Sequence, residues 1–379
     1  MKKSIVFVLV VFVLLGGVFA EEKIHSTPLK WYCPEILAQG GSATANVKGY
    51  NSLFTNPAGF ATDKGEFNIF TAQPSAAQDI FQYMDDRVDK SFLESILNQI
   101  TTNGVGANMQ VSIGYVGHGI GIGGFSSLES SFPQVDTPLG AKGDVWWTSG
   151  IIAGYSLGFN FFGIDWKVGA DVRPMYRIMM KDVDVCTLVD VIERAEDDSI
   201  ELDVLSGFGL GFDVGLQGTW HDLTLGLSLR DVGRTNFNYV EKTINRKFQT
   251  IKGTKKDCVD KYVAPMTMNV GLAYNPQFSF SHIVDSTIHA DLAIPLSSES
   301  KIDEFTVGSI WTRLNMGAEI EFADLVALRL GCSGGYFSCG LGVEFLVFDI
   351  NLAIFSQETG VYAGDQRTMG AAFELSFKI

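Results

Sequence analysis

The chain has 379 residues, of which 46% are hydrophobic, 12% aromatic and only 19% charged, whereas a typical globular domain is about 25% charged. A formal net charge of −15 argues against nucleic acid as a partner and against polybasic attachment to anionic lipid, because both need a basic surface. Five widely spaced cysteines and 41 glycines without a three-residue period exclude a disulfide-rich small domain and a collagen-like fibre.

Residues 1–20 have the pattern of a secretory signal peptide. Lys2 and Lys3 precede an apolar run, and Val18 and Ala20 supply the small residues of a cleavage site. We therefore expect residues 1–20 to be removed and the remaining chain to be exported from a bacterial cytoplasm. An N-terminal membrane anchor is the alternative, which the short run and the charged cluster after it disfavour.

Residues 21–65 are predicted to be mostly irregular and to form a compact plug. They contain three stretches of low charge, GGSATA at 40–45, YNSLF at 50–54 and NPAGF at 56–60. In the last stretch the Asn side chain can bond nearby backbone, and proline fixes its own φ.

From residue 66 onward, apolar and polar residues alternate in short blocks. In one block, Leu223, Leu225 and Leu227 fall on one face of an extended chain. Such alternation predicts strands with one apolar face. About fourteen predicted strands lie near 66–72, 108–117, 119–127, 145–160, 163–177, 201–217, 219–232, 264–275, 286–295, 312–322, 325–332, 335–345, 347–355 and 370–379.

The connections between these blocks alternate between long and short, which is typical of outer-membrane barrels. Lipid offers no hydrogen-bond partner, so a spanning sheet must close on itself. We therefore predict that residues 66–379 form an all-β, transmembrane antiparallel β-barrel, with both chain ends in the periplasm. Aromatic residues near the strand ends predict two interfacial girdles. At the extracellular ends these are Trp146, Trp147, Tyr176 and Trp311, and at the periplasmic ends Phe161, Phe162, Trp220 and Phe322.

Two alternatives to the barrel follow from the same pattern. Residues 104–128 and 145–164 lack Asp, Glu, Lys and Arg, which allows membrane helices, although their glycines favour paired strands. A soluble β-sandwich or periplasmic binding protein also fits half-buried alternating strands. Two connections are predicted to be helical, 79–102 strongly and 187–199 weakly.

Glu319, Glu321 and Arg329 are candidate lumen charges. A tight turn at 323–325 would place Glu319 opposite Arg329 on one face of two paired strands. In a barrel lumen such charges can meet water and each other, whereas inside a soluble sandwich they would be costly to bury. The alternative is the solvent face of an ordinary sheet.

The sequence offers no catalytic constellation. It contains no CxxC or HExxH pattern, so we expect no catalytic residue, no metal and no cofactor, and the protein is predicted not to be an enzyme.

Residues 40–60, placed between a secretory signal and the predicted strands, resemble the hatch of the FadL/TodX family of outer-membrane long-chain fatty acid transporters, including its divergent treponemal-type members. The resemblance implies an outer-membrane transporter in which a hydrophobic ligand enters an apolar pocket, the hatch shifts and the ligand leaves sideways through the wall. By motif, Asn56, Pro57 and Ala58 are hatch residues. Phe54 and Phe60 flank them and are candidates to contact the ligand.

The family's lateral exit lies where a strand is kinked, and Gly123 and Gly124 are the candidates for that kink, since paired glycines weaken a ladder. Alternatively, these glycines pack under the plug or beside an aromatic ring.

The implied partners are a long-chain fatty acid or other hydrophobic ligand, outer-membrane lipid and the barrel assembly machinery. PorV-like secretion shuttles share the hatch, so a secretion shuttle or a surface adhesion protein remains the alternative function. An open porin is disfavoured by the plug.

Overall fold

A computed structural model describes most of the chain after residue 24. The described residues are 25–26, 29, 31, 33–77, 105–132, 142–184, 201–245, 250–252, 258, 260–276, 283–296, 310–323, 325–358 and 367–379. The predicted signal peptide, 1–20, and the predicted helices, 79–102 and 187–199, lie outside these residues.

Among the described residues, eighteen strands form one sheet. They are β1 His25–Ser26, β2 Glu66–Ala77, β3 Val105–Gly117, β4 Ile120–Phe132, β5 Lys142–Phe161, β6 Ile164–Asp184, β7 Glu201–Trp220, β8 Leu223–Arg230, β9 Thr235–Asn245, β10 Thr250–Lys252, β11 Asp260–Ala264, β12 Thr267–Tyr274, β13 Val284–Pro295, β14 Leu314–Phe322, β15 Val326–Ser333, β16 Tyr336–Phe345, β17 Phe348–Glu358 and β18 Arg367–Lys378. A short helix, α1 (Pro34–Ala38), and two 3-10 turns, Gly49–Phe54 and Pro57–Phe60, precede β2.

The sheet closes into a barrel of fourteen antiparallel strands. Each of the fourteen barrel strands pairs with its neighbours in sequence, and β18 pairs with β2, which closes the ring. The count is fourteen because β8 and β9 are two parts of one barrel strand, β10, β11 and β12 are parts of the next, and the two-residue β1 is an addition that pairs with β11. The predicted all-β antiparallel barrel is therefore confirmed, and the soluble-sandwich alternative is wrong. The charge-free runs form β3, β4 and β5.

The seventh barrel strand differs from its prediction over 219–232. It breaks after β8 at Asp231 and resumes as β9. Asp231, Gly233 and Arg234 all have positive φ, at 52°, 78° and 70°. Left-handed backbone cannot continue a β ladder, so the chain turns out of register at this point.

The two faces of the barrel wall have opposite chemistry. Apolar side chains on the outer face are exposed, among them Phe67, Ile113, Ile151, Phe208, Leu225, Ile288, Leu330 and Leu352. Polar side chains on the inner face are buried, among them Gln73, Gln110, Asp171, Arg173, Asp213, Gln217, Asp291 and Asn351. An exposed apolar belt of this extent fits lipid as the surrounding medium. Among the described residues, no helix is both long and apolar enough to cross a membrane.

The aromatic girdles are largely where the sequence places them. At the end of the barrel with the short turns, Phe161, Phe162 and Trp220 are exposed. Trp146 departs from the prediction because its ring lies inside the barrel, 5.8 Å from the Arg177 guanidinium carbon. Neighbouring residues of a strand point to opposite faces, so Trp146 and Trp147 cannot both face outward.

Residues 33–60, which we call the lumenal segment, lie against the inner face of the barrel. Helix α1 contacts β15 to β18, the turn 49–54 contacts β2, β3 and β4, and the turn 57–60 contacts β4 to β7. Most side chains of the segment are buried. Before it, β1 pairs in parallel with β11. An irregular segment can be buried here because its backbone groups find partners on the wall.

Candidate functional site in the lumen

The NPAG turn is fixed by its own asparagine. The Asn56 carboxamide oxygen accepts a hydrogen bond from the backbone N–H of Ala58 at 3.1 Å, which caps the 3-10 turn. Its amide nitrogen donates to the carbonyl oxygen of Thr44 at 2.7 Å. Asn56, Pro57 and Ala58 are all buried. The side chain therefore ties two stretches of the lumenal segment together, as its capping chemistry requires.

Phe60 packs where the barrel wall has no side chains. A Cβ added to Gly121 or to Gly154 would lie 2.7 Å from the Phe60 ring. The ring is fully buried, and Ser156 on β5 donates to the carbonyl oxygen of Ala58 at 3.3 Å. Lumen-facing glycines thus let the segment approach the wall closely. Others of this kind are Gly114, Gly123, Gly169, Gly215, Gly226, Gly271, Gly317, Gly331 and Gly340.

Asp291 binds the small-residue stretch of the segment. Its Oδ2 accepts hydrogen bonds from the backbone N–H groups of Ala43 at 2.7 Å and Thr44 at 2.6 Å. Asp291 is buried on β13. Two charge-assisted hydrogen bonds to one buried carboxylate are among the stronger contacts available to a neutral backbone.

Arg329 links three parts of the lumen. It forms an ion pair with Glu319 on β14, donates to the Asn351 carboxamide oxygen on β17 at 2.6 Å, and approaches Glu35 of α1 at 3.7 Å. The predicted register is observed, because Glu319 pairs with Arg329 and Glu321 with Ala327.

A polar cavity of about 220 Å³ lies among these groups. Its lining includes Glu319, Glu321 and Arg329 together with Glu35, Asp285, Glu344, Asp349, Glu374 and Lys378. A lining with this many charges suits water and ions rather than an acyl chain.

The opposite side of the lumen is aromatic. Phe54 is buried, and its ring centroid lies 5.1 Å from that of Trp31, 5.8 Å from Tyr50 and 6.2 Å from Phe125. Burial raises the pKa values of the Cys33 thiol and the Tyr50 phenol, so both groups are neutral. The cluster extends to Met175, Met179, Phe237, Tyr239 and Tyr262.

Arg177 borders this aromatic cluster. Its guanidinium carbon lies 4.4 Å from the ring centroid of Tyr262, 5.8 Å from Trp146 and 6.0 Å from Phe237. The side chain is buried, yet its Nε and Nη1 have no hydrogen-bond partner. These two nitrogens are free to donate to an anion.

Gly123 and Gly124 do not interrupt the wall. β4 pairs with β3 and β5 through both residues without a register shift. A Cβ added to Gly123 would lie 2.9 Å from Leu53, so this glycine makes room for the lumenal segment. Gly124 faces outward into an apolar groove of about 770 Å³. The pairing gives no support to a kink here, and the exit role of the two glycines stays a prediction.

Solved structures share this architecture over nearly the whole chain. The Ralstonia pickettii toluene transporter TbuX aligns over 94% of this chain and 98% of its own, with 13% identity and a TM-score of 0.50. The chain has the fold of TbuX. The Pseudomonas putida toluene transporter TodX aligns over 93% of this chain and 98% of its own, with 12% identity and a TM-score of 0.46. A Pseudomonas aeruginosa FadL homologue aligns over 91% and 97%, with 11% identity and a TM-score of 0.47.

No protein-family model matches the chain, and no curated protein matches its sequence. The resemblance drawn from residues 40–60 is confirmed at the level of fold.

Several lumen residues are not identifiable as site residues from the sequence. The strands of alternating polarity include Asp291, Arg173 and Arg177. From the sequence alone, a charged side chain in such a strand could face the lumen or the outside of the barrel. Odd and even positions of a strand face opposite sides, so each of these residues is assigned to the lumen once the buried residues on its face are known. Within the described part of the chain, no three His, Cys, Asp or Glu side chains are grouped to hold a metal. Cys33, Cys258, Cys332 and Cys339 are free.

Proposed function

We propose that this protein is an outer-membrane transporter for hydrophobic compounds, foremost long-chain fatty acids, in which residues 21–65 act as a hatch. The observation that carries the proposal is a closed barrel with an apolar outer belt whose lumen holds a buried segment and an aromatic cluster. The fold shared with the toluene transporter TbuX supports the same conclusion.

The aromatic side of the lumen is the proposed path of the ligand. Phe54, on the lumenal segment, faces Trp31 and Phe125 there, which is the contact expected of a hatch residue that meets ligand. The rings fill this space in the closed structure, so ligand entry requires them to move. Burial of an acyl chain supplies the driving force, at about 0.8 kcal/mol per CH₂ group.

Arg177 supports an anionic head group on that ligand. The sequence shows no basic cluster to meet a carboxylate, but the buried Arg177 guanidinium lies against the aromatic cluster with its Nε and Nη1 free to donate. A carboxylate there would gain charge-assisted hydrogen bonds while its chain contacts the neighbouring rings.

Ligand binding tests this function directly. The purified protein in detergent is expected to bind a fluorescent long-chain fatty-acid analogue saturably. Arg177→Gln is expected to weaken that binding about tenfold, the effect of about 1.4 kcal/mol from one lost charged hydrogen bond. Binding of the matched fatty alcohol should be unchanged. Lys242→Gln is the control, because Lys242 bonds the Tyr176 hydroxyl at 3.1 Å at an exposed position.

A second measurement tests the hatch. Removal of residues 33–60 should leave a folded, heat-modifiable barrel that admits small sugars to liposomes, whereas the full chain excludes them. If no acyl or aromatic ligand binds to the full chain, transport is excluded and the secretion-shuttle or surface-protein alternative takes its place.

A further inference from the structure

One stretch of the barrel wall lacks a ladder on one side. β7 pairs with β9 up to Ser206 and with β8 from Val214 onward. Between these points, residues 207–213 have no Cα partner in the described parts of β8 and β9. The chain opposite them, residues 231–239, contains the break in the seventh barrel strand. We call residues 207–213 and 231–239 the seam.

The seam joins lipid to the aromatic side of the lumen. On its outer face, Phe208, Leu210 and Phe212 are exposed within the apolar belt. Its inner face carries glycine at 207, 209 and 211. No side chain of β7 at these three positions therefore stands between the wall and the lumen.

Phe237 closes the seam from inside. A Cβ added to Gly209 would lie 2.6 Å from the Phe237 ring, and that ring is fully buried. Its centroid lies 6.5 Å from that of Tyr239 and 5.9 Å from that of Tyr262. The ring therefore belongs both to the wall and to the aromatic cluster that we propose as the ligand path.

A buried charge network holds the broken strand in place. Arg173 Nη2 donates to Asp213 at 2.7 Å and to Asp231 at 3.0 Å. Asp231 also accepts from the Thr235 hydroxyl at 2.7 Å, and its backbone N–H donates to Asp213 at 2.8 Å. A backbone hydrogen bond also crosses the seam, from the Val232 N–H to the Phe212 carbonyl oxygen at 2.7 Å. Side-chain hydrogen bonds and ion pairs therefore hold the two chains together here, whereas backbone ladders hold neighbouring strands together elsewhere in the wall.

The same network contacts the lumenal segment. Arg230 donates to Asp213 at 3.2 Å and also to the carbonyl oxygen of Phe54. Trp31 lies 5.8 Å from the guanidinium carbons of both Arg173 and Arg230 and packs on the Phe54 ring. A displacement of Phe54 therefore removes a hydrogen-bond acceptor from Arg230. It also removes the Phe54 ring from its contact with Trp31, which lies beside the network.

We propose that the seam is the lateral exit, with Phe237 as its closing side chain and the Arg173–Asp213–Asp231 network as its latch. This inference rests on the proposed transport function, and the ligand is an apolar or amphiphilic molecule that leaves for the bilayer. In the described parts of the wall, residues 207–213 have no ladder to lose on this side, whereas opening at an intact ladder such as β4–β5 would leave backbone groups unpaired in lipid, at a cost of several kcal/mol each.

A reversible cross-link tests the seam. A Cβ added to Gly211 would lie 3.0 Å from the Thr235 hydroxyl oxygen, a separation that suits a disulfide between Gly211→Cys and Thr235→Cys. The matched control is Ser126→Cys with Ser149→Cys, whose hydroxyl oxygens are 2.9 Å apart across the intact β4–β5 ladder. Each protein is loaded with a fluorescent fatty-acid analogue, and transfer into phosphatidylethanolamine vesicles is timed before and after reduction.

Oxidised Gly211→Cys/Thr235→Cys is expected to transfer the probe about tenfold more slowly than its reduced form, with binding affinity within about twofold. The control pair should transfer equally fast in both states. Phe237→Ala, which needs no cross-link, should speed transfer about tenfold.

Equal rates for the oxidised and reduced seam pair, with Phe237→Ala at the wild-type rate, would overturn the seam as the exit. Slowing in the control pair alone would place the exit at β4 instead. A wild-type protein that neither binds nor transfers the probe would overturn the transport function itself.

Discussion

The lumenal segment lies between two unlike walls. Towards β13 to β18 it is held by charge, through Asp291 to the backbone of Ala43 and Thr44 and through Arg329 to Glu35. Towards β3 to β7 its side-chain contacts are mainly of shape, with Phe60 seated on Gly121 and Gly154, and neutral donors such as Ser156 bind its backbone carbonyl groups. Separating a buried charged contact leaves both groups unpaired at a high cost in free energy. Apolar side chains can be rearranged against each other at a lower cost. The polar wall therefore anchors the segment, and the aromatic wall is the side on which it can move.

The largest expected effect is at the centre of the polar wall. Arg329→Met leaves Glu319 and Glu35 without their cation and should lower the free energy of unfolding by about 3–5 kcal/mol. Thermal unfolding in detergent, followed by circular dichroism or by gel mobility, measures the loss. The double variant Arg329→Met/Glu319→Met should regain a large part of it, and a double variant less stable than Arg329→Met would contradict an ion pair as the cause.

Asp291→Ala tests whether the polar wall anchors the segment or only borders it. The loss of two charge-assisted hydrogen bonds should cost about 3 kcal/mol. Hydrogen exchange at the amides of Ala43 and Thr44 should accelerate, while exchange in β13 stays slow. Asp291→Asn keeps one acceptor oxygen and should show a smaller change. Acceleration spread evenly over the whole barrel would count against local anchoring.

A smaller effect is expected on the apolar wall. Gly121→Ala would place a methyl group 2.7 Å from the Phe60 ring, and overpacking of this kind costs about 1–3 kcal/mol. The double variant Gly121→Ala/Phe60→Leu should recover stability because the smaller side chain leaves room. Gly124→Ala is the matched control, since it faces outward with its nearest neighbouring atom 3.8 Å away. Equal costs for the two glycines would show that the ring does not set the spacing.

Sequence alone determined the barrel. Apolar and polar alternation is a local property of each strand, so the strand number and the exposed faces followed from it, as did the Glu319–Arg329 register across a tight turn. The Asn-Pro-Ala-Gly motif likewise contained its own cap, because Asn56 and Ala58 are two residues apart.

Tertiary structure alone decided what meets across the lumen. Asp291 and Thr44 are 247 positions apart, and no local pattern links them. Gly123 and Gly209 have similar neighbours in sequence, yet one packs under Leu53 in an unbroken ladder and the other lies under Phe237 in the seam. Alternation fixes the face on which a residue lies, but only the closed ring fixes its partner, because contacts across the lumen join strands that are distant in sequence.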